Sequence, residues 1–85
     1  MGDNVDRRIA VVGIAVEDRK LAAAKVNEIL SLHGDIIVGR MGIPYKEKNI
    51  SVMALIIDGT TDDIGSLTGK LGNIPGVRVR SAVTV

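Results

Sequence analysis

The sequence predicts an α+β sandwich of order βαββαβ: a four-stranded antiparallel sheet with two helices on one face. Three observations point to it. Residues 9–16 and 52–57 are unbroken apolar runs, the mark of central strands covered from both sides, because a strand with one wet face alternates apolar and polar residues. Two short segments carry apolar residues at helical spacing and end in glycine. The two halves of the chain also match loosely, each reading as strand, cap, short helix, glycine-containing turn and strand.

The elements follow in order. A polar stretch at 1–6 precedes a first strand over 7–16, and a single domain is expected over 7–85. Asp18 can cap a helix whose stripe is Leu21, Ala22, Val26, Ile29 and Leu30. His33-Gly34 closes it, with Gly34 as the left-handed stop. A second strand runs over 35–43, a charged connection over 44–49 makes a hairpin, and a third strand fills 50–58. Gly59-Thr60-Thr61-Asp62-Asp63 then supplies a turn, a threonine cap and two acids that favour the helix dipole. Ile64, Leu67 and Leu71 form the second helical stripe, Gly72 ends it, and 77–85 alternates as the last strand. Two split βαβ units joined by a hairpin give the ferredoxin-like sandwich, with the first and third strands central.

One layer of helices leaves the other sheet face to a partner. Pairing Ile43 with Ile50 places Ile37, Gly39, Met41, Val52, Ala54 and Ile56 beneath the helices. The opposite parity then forms the open face: Arg40, Ser51, Met53, Leu55 and Ile57, joined by Ala10, Val12 and Ile14, with Arg78 and Arg80 as basic flanks. A one-residue slip exchanges the faces. On this register the expected self-association surface is Val12, Ile14, Arg40, Met53, Leu55, Ile57, Arg78 and Arg80, and the chain is expected to be a homo-oligomer.

Composition narrows the function. Hydrophobic residues make up 46% of the chain, yet Tyr45 is its only aromatic, so the central strands offer no stacking platform of the kind an RNA-recognition motif uses. The absence of cysteine excludes disulfides, thiol catalysis and a cysteine-pair metallochaperone, and fits a reducing cytoplasm. Neither apolar run approaches the about 20 residues a bilayer requires, and the start does not read as a signal peptide, so a soluble protein is expected. Eleven basic and ten acidic residues, for a net charge of +1, give no field that would draw nucleic acid or an anionic membrane.

Candidate chemistry is sparse. His33 is the sole histidine, and at a helix C-terminus it serves as a dipole partner; with no converging ligands, no metal site and no cofactor are expected. Arg78 and Arg80 read first as edge-strand protection against aggregation. Glu17-Asp18-Arg19-Lys20 lies where the first strand meets the first helix, a place where helix amides can receive an anion, although Asp18 serves equally as a cap. Arg19 and Asn49 stand roughly where an acylphosphatase-like hydrolase would need an arginine and an asparagine, but the glycine-rich phosphate cradle is missing.

The stretch Gly13-Ile14-Ala15-Val16-Glu17-Asp18-Arg19, leading into 21–30 and Gly34-Asp35-Ile36-Ile37, resembles the start of an ACT-like regulatory domain. More closely, Val11-Val12-Gly13-Ile14, Ile37-Val38-Gly39-Arg40-Met41-Gly42-Ile43-Pro44 and Asn73-Ile74-Pro75-Gly76-Val77 are similar to a small family of iron-only hydrogenase system regulators, related in fold to the C-terminal domain of nickel-responsive repressors. The resemblance implies a non-enzymatic, oligomeric regulatory domain. It further implies an effector held between the first turn of one copy and the second-strand region of its neighbour, at Glu17, Asp18, Arg19, Asp35 and Ile36. The turn lacks the glycine usual in ACT effector sites, and the histidines and cysteine of the nickel repressors have no counterpart. With only a short polar stretch before the first strand, no ribbon-helix-helix segment is expected, so any role in transcription would run through a protein partner. The alternatives are a purely structural oligomerisation module and the small hydrolase.

Overall fold

The computed structural model describes residues 7–18 and 20–85. Arg19 and the polar stretch 1–6 lie outside the described residues. Strand β1 spans Arg7–Glu17, helix α1 Lys20–Leu32, β2 Ile37–Tyr45, β3 Ile50–Thr60, α2 Thr61–Gly72 and β4 Val77–Val83. The order is the expected βαββαβ, and the antiparallel sheet runs β2-β3-β1-β4 with the first and third strands central. No helix among the described residues is long and apolar enough to cross a membrane.

Alternation decides which residues meet the helices. Ala10, Val12, Ile14 and Val16 of β1, Leu55 and Ile57 of β3 and Val77 of β4 are buried against Ala22, Val26 and Leu30 of α1 and Ile64, Leu67 and Leu71 of α2. Ile36 and Ile74 close the ends of this core. Leu21, expected in the helical stripe, instead faces solvent.

The expected faces are therefore exchanged for the two central strands. Val12, Ile14, Leu55 and Ile57 lie in the core of one chain, each no more than 2% exposed, and cannot form a surface for a second copy. Met53 is half-buried on the same side, and Arg40, opposite Leu55, is exposed at the edge of that side. The hairpin register differs as well: Tyr45 meets Ile50 and Ile43 meets Val52, because β2 continues through Pro44 to Tyr45 before a tight turn at Lys46–Lys48. A bulge between Ile37 and Gly39 lets Ile37 meet Ile57. Arg78 and Arg80 do lie on the open face, opposite Ala15 and Gly13.

Two turns fix the ends. Thr60 accepts a hydrogen bond from the Asp63 amide, and the Asp63 carboxylate accepts one from the Thr60 amide, each at 3.0 Å. This reciprocal box satisfies two amides that α2 leaves without internal partners. The amide and hydroxyl of Thr60 hold the Asp63 carboxyl below the ordinary carboxylate range. At the end of α1, Gly34 opens a short 3-10 turn over Gly34–Ile36 rather than a left-handed stop; among the described residues only Asn49 and Gly76 have positive φ.

Candidate functional site

The loops at the hairpin end converge on Glu17 and Asp18. The Glu17 amide donates to the Gly76 carbonyl at 2.8 Å, and the Asp18 amide donates to the Asn49 carbonyl at 2.9 Å. The β1–α1 connection is thus tied to both the hairpin and the β4 entry. Asn49 adopts the left-handed conformation that closes the hairpin, so its backbone organises the turn. Helix α1 begins at Lys20, with Arg19 between it and Asp18.

A groove of about 410 Å³ opens beside this junction. It exists because β2 lies beyond the helix layer, while α1 packs over the centre of the sheet. Its floor is apolar, built from Val16, Val26 and Met53. The outer wall is β2 at Gly42, Ile43 and Pro44, and the rim carries Asp18, Lys20, Asn27 and Ser51. A Cβ at Gly42 would stand 3.4 Å from the Met53 side chain, an ordinary van der Waals contact. An apolar floor with a few polar groups at the rim, at this size, suits a small organic molecule. Glu17 also borders two further depressions of about 440 and 500 Å³, one lined by Lys48 and Arg78 and the other by Lys48 and Asn49.

Of the residues expected to hold an effector, Glu17 and Asp18 line the groove. Asp35 and Ile36 lie at the opposite end of the sheet, where Ile36 is buried beside Gly59. Glu17 pairs with Ile50 at one end of β3 and Arg7 with Thr60 at the other, so within one chain the two groups stand roughly 30 Å apart. Asn27, Gly42 and Ser51 were not among the expected site residues, and Met53 was expected on the self-association surface rather than in a ligand groove. Gly42 and Pro44, small and ring-closed residues in an otherwise bulky strand, were the available signal. His33 lies away from the groove, its Nε2 3.4 Å from Lys70 Nζ.

The open sheet face is the second feature. Reading across β4, β1, β3 and β2, its rows are Ala82, Val11, Ile56, Gly39; Arg80, Gly13, Ala54, Met41; and Arg78, Ala15, Val52, Ile43. Val11, Ile56, Val52, Met41 and Ile43 are all exposed, Ile56 at 47%. Ten of these twelve positions are uncharged and apolar or glycine, and the two arginines stand along the β4 margin.

The family model "TM1266-like: Iron-only hydrogenase system regulator, putative" matches residues 8–81. The chain belongs to this family. It is similar to the uncharacterized protein TM1266 of Thermotoga maritima, with 39% identity, a TM-score of 0.91, and coverage of 93% of this chain and 99% of that one. The family fold is shared with the ACT domain of the Chlorobium tepidum GTP pyrophosphokinase, at 22% identity and a TM-score of 0.75 over 89% of this chain and 99% of that one. The C-terminal domain of MgtC from Mycobacterium tuberculosis has it too, at 19% identity and a TM-score of 0.67 over 93% and 89% of the two chains. No curated protein matches the chain. An ACT-like, ferredoxin-like regulatory domain is thus the family assignment, as the residues of the turn and of β2 implied.

Proposed function

We propose that this regulatory domain works without catalysis, as a homo-oligomer that senses a small molecule, and that it acts on the iron-only hydrogenase system through a protein partner. The observation that carries the reading is the open sheet face, a continuous apolar surface on a chain of this size. Monomeric proteins rarely leave such a patch uncovered. The surface for a second copy is Val11, Val52, Ala54, Ile56, Met41 and Ile43, with Arg78 and Arg80 at its margin.

The effector sits in the groove at Glu17 and Asp18, with Arg19 beside them in sequence, and Asp35 and Ile36 contributed by a neighbouring copy. Asp35 is exposed and free to face a neighbour, whereas the buried Ile36 shapes the site through its backbone. Family membership supports regulation, and the apolar floor of the groove supports a small organic ligand.

Sedimentation of the wild type against Ile56→Glu tests assembly. The wild type should associate at micromolar concentration, and the variant should be folded and dissociated, because a charge on that face would be buried without a partner. A thermal-shift screen of amino acids, organic acids, nucleotides and divalent metals, repeated on Arg19→Ala and Asp35→Ala, tests sensing. A ligand at a hundred times its dissociation constant adds about 2.7 kcal/mol. Shifts lost in both variants support the reading; assembly without any shift favours a purely structural module.

A further inference from the structure

The depression of about 440 Å³ at the hairpin end of the open sheet face is separate from the groove and has a chemistry of its own. It exists because Ala15 is small, while its ladder partners Val52 and Arg78 and the next residue on its face, Glu17, are larger. Ala15 and Ile50, each half-buried, form the floor, and Glu17, Lys48, Gly76 and Arg78 stand around them. Backbone hydrogen bonds hold this frame: the Glu17 amide donates to the Gly76 carbonyl at 2.8 Å, and Asn49, next to Lys48, accepts from the Asp18 amide at 2.9 Å. Gly76 leaves room for the Glu17 carboxylate, which a Cβ there would meet at 3.1 Å.

Two of the three charged side chains here are cations, and neither Lys48 nor Arg78 makes a side-chain hydrogen bond or ion pair among the described residues. The other arginines of this face are engaged. Arg7 pairs with Asp58 at 3.0 Å, and Arg80 donates to the Val79 carbonyl at 2.9 Å. Protection of the β4 edge accounts for Arg78 but not for Lys48, which belongs to the hairpin turn and not to that edge. A concave surface with one sign of charge in excess focuses the field and gathers counter-ions.

We infer that this depression binds a small organic monocarboxylate, its carboxylate held by Arg78 and Lys48 and its hydrocarbon part resting on Ala15 and Ile50. A guanidinium takes both oxygens of a carboxylate in a fork, and an ammonium adds a point charge. Glu17 sets the charge limit: against two cations its carboxylate leaves a single net positive charge, which matches a monoanion and disfavours a phosphate dianion. The apolar floor favours an anion with a hydrocarbon tail over a bare one. The site shares only Glu17 with the groove and needs no residue of a second copy, so it stands or falls apart from the effector site proposed above.

Titration of the wild type with hexanoate, acetate and inorganic phosphate at constant ionic strength, followed by amide NMR, tests the site. Hexanoate should saturate, with shifts centred on Ala15, Lys48, Gly76 and Arg78. It should bind at least about tenfold more tightly than acetate, and more tightly than phosphate. Arg78→Ala and Lys48→Ala should each weaken hexanoate about tenfold while melting like the wild type. Arg80→Ala should leave its affinity unchanged, because Arg80 shares the strand and the face but does not line the depression. Failure to saturate, shifts centred on Asn27 and Gly42 of the groove, or affinity retained in Arg78→Ala overturns the inference. So does an equal loss in Arg80→Ala, or phosphate binding as tightly as hexanoate.

Discussion

Leu55 lies directly opposite Val12 in the β1–β3 ladder, and neither side chain reaches solvent. One step further along β3, Ile56 pairs with Val11 and half of it is exposed. Neighbouring residues of one strand thus stand in different surroundings, one buried in the core and the other half open to solvent.

Leu55→Ala is expected to cost about 2–5 kcal/mol, the range for a buried leucine removed from a packed core. Urea denaturation at fixed protein concentration measures it. Ile56→Ala, on the open face, should change the denaturation midpoint far less once both proteins are diluted to monomer.

Thr60→Ala removes the hydroxyl that accepts the Asp63 amide. A loss of about 1 kcal/mol is expected, the usual cost of deleting a helix cap. Hydrogen exchange should show the opening concentrated in the first turn of α2; protection lost evenly across the sheet would contradict a local cap.

Asp63 makes stability fall in acid. Its carboxyl is held below the ordinary value by the hydrogen bonds from Thr60, so the folded state binds its proton less readily than the unfolded chain. The resulting stabilisation is complete above the unfolded carboxylate pKa of about 3.9 and fades as pH drops through the lower folded value. Urea midpoints from pH 7 to pH 2.5 should decline more for the wild type than for Asp63→Asn, whose side chain does not titrate.

Gly76→Ala should destabilise the entry to β4 by about 1 kcal/mol or more. Gly76 has φ +86°, and a Cβ there would come within 3.1 Å of the Glu17 carboxylate. Comparing Gly76→Ala with Gly34→Ala by thermal melting checks the point, since Gly34 has open space around it and no positive φ.

Element order, central strands and the threonine cap were legible because each rests on a local pattern: apolar runs, helical spacing, or a hydroxyl three residues before an acid. The face of each strand was not. In β1 both parities are apolar or small, Ala10, Val12, Ile14 and Val16 on one side and Ile9, Val11, Gly13 and Ala15 on the other. Alternation then says nothing: superposing the two halves by their caps rightly set Ala10, Val12 and Ile14 on the face of Met53, Leu55 and Ile57, but the other face, with Val52, Ala54 and Ile56, was the one expected beneath the helices. Charged residues held the answer: Glu17, Asp58 and Arg80 all share the parity of the open face. Arg78 and Arg80 were correctly set there, but they sit opposite Ala15 and Gly13, not beside Val12 and Ile14. The groove was invisible for a different reason. It comes from the placement of α1 relative to an outer strand, a tertiary offset that no spacing of residues encodes.

The sheet order also shapes how the chain reaches its fold. The strand nearest the N-terminus, β1, is flanked by β3 and β4, so neither of its neighbours is close in sequence. During synthesis β1 gains its first ladder only once Ile50–Thr60 has emerged, and its second only with Val77–Val83. Only the β2–β3 hairpin can form locally; the remaining pairings must first close long loops, an entropic cost that sets folding speed. Until β4 docks, the most apolar strand of the protein keeps one edge unpaired, which makes the interval before the last strand arrives the period of greatest exposure to aggregation.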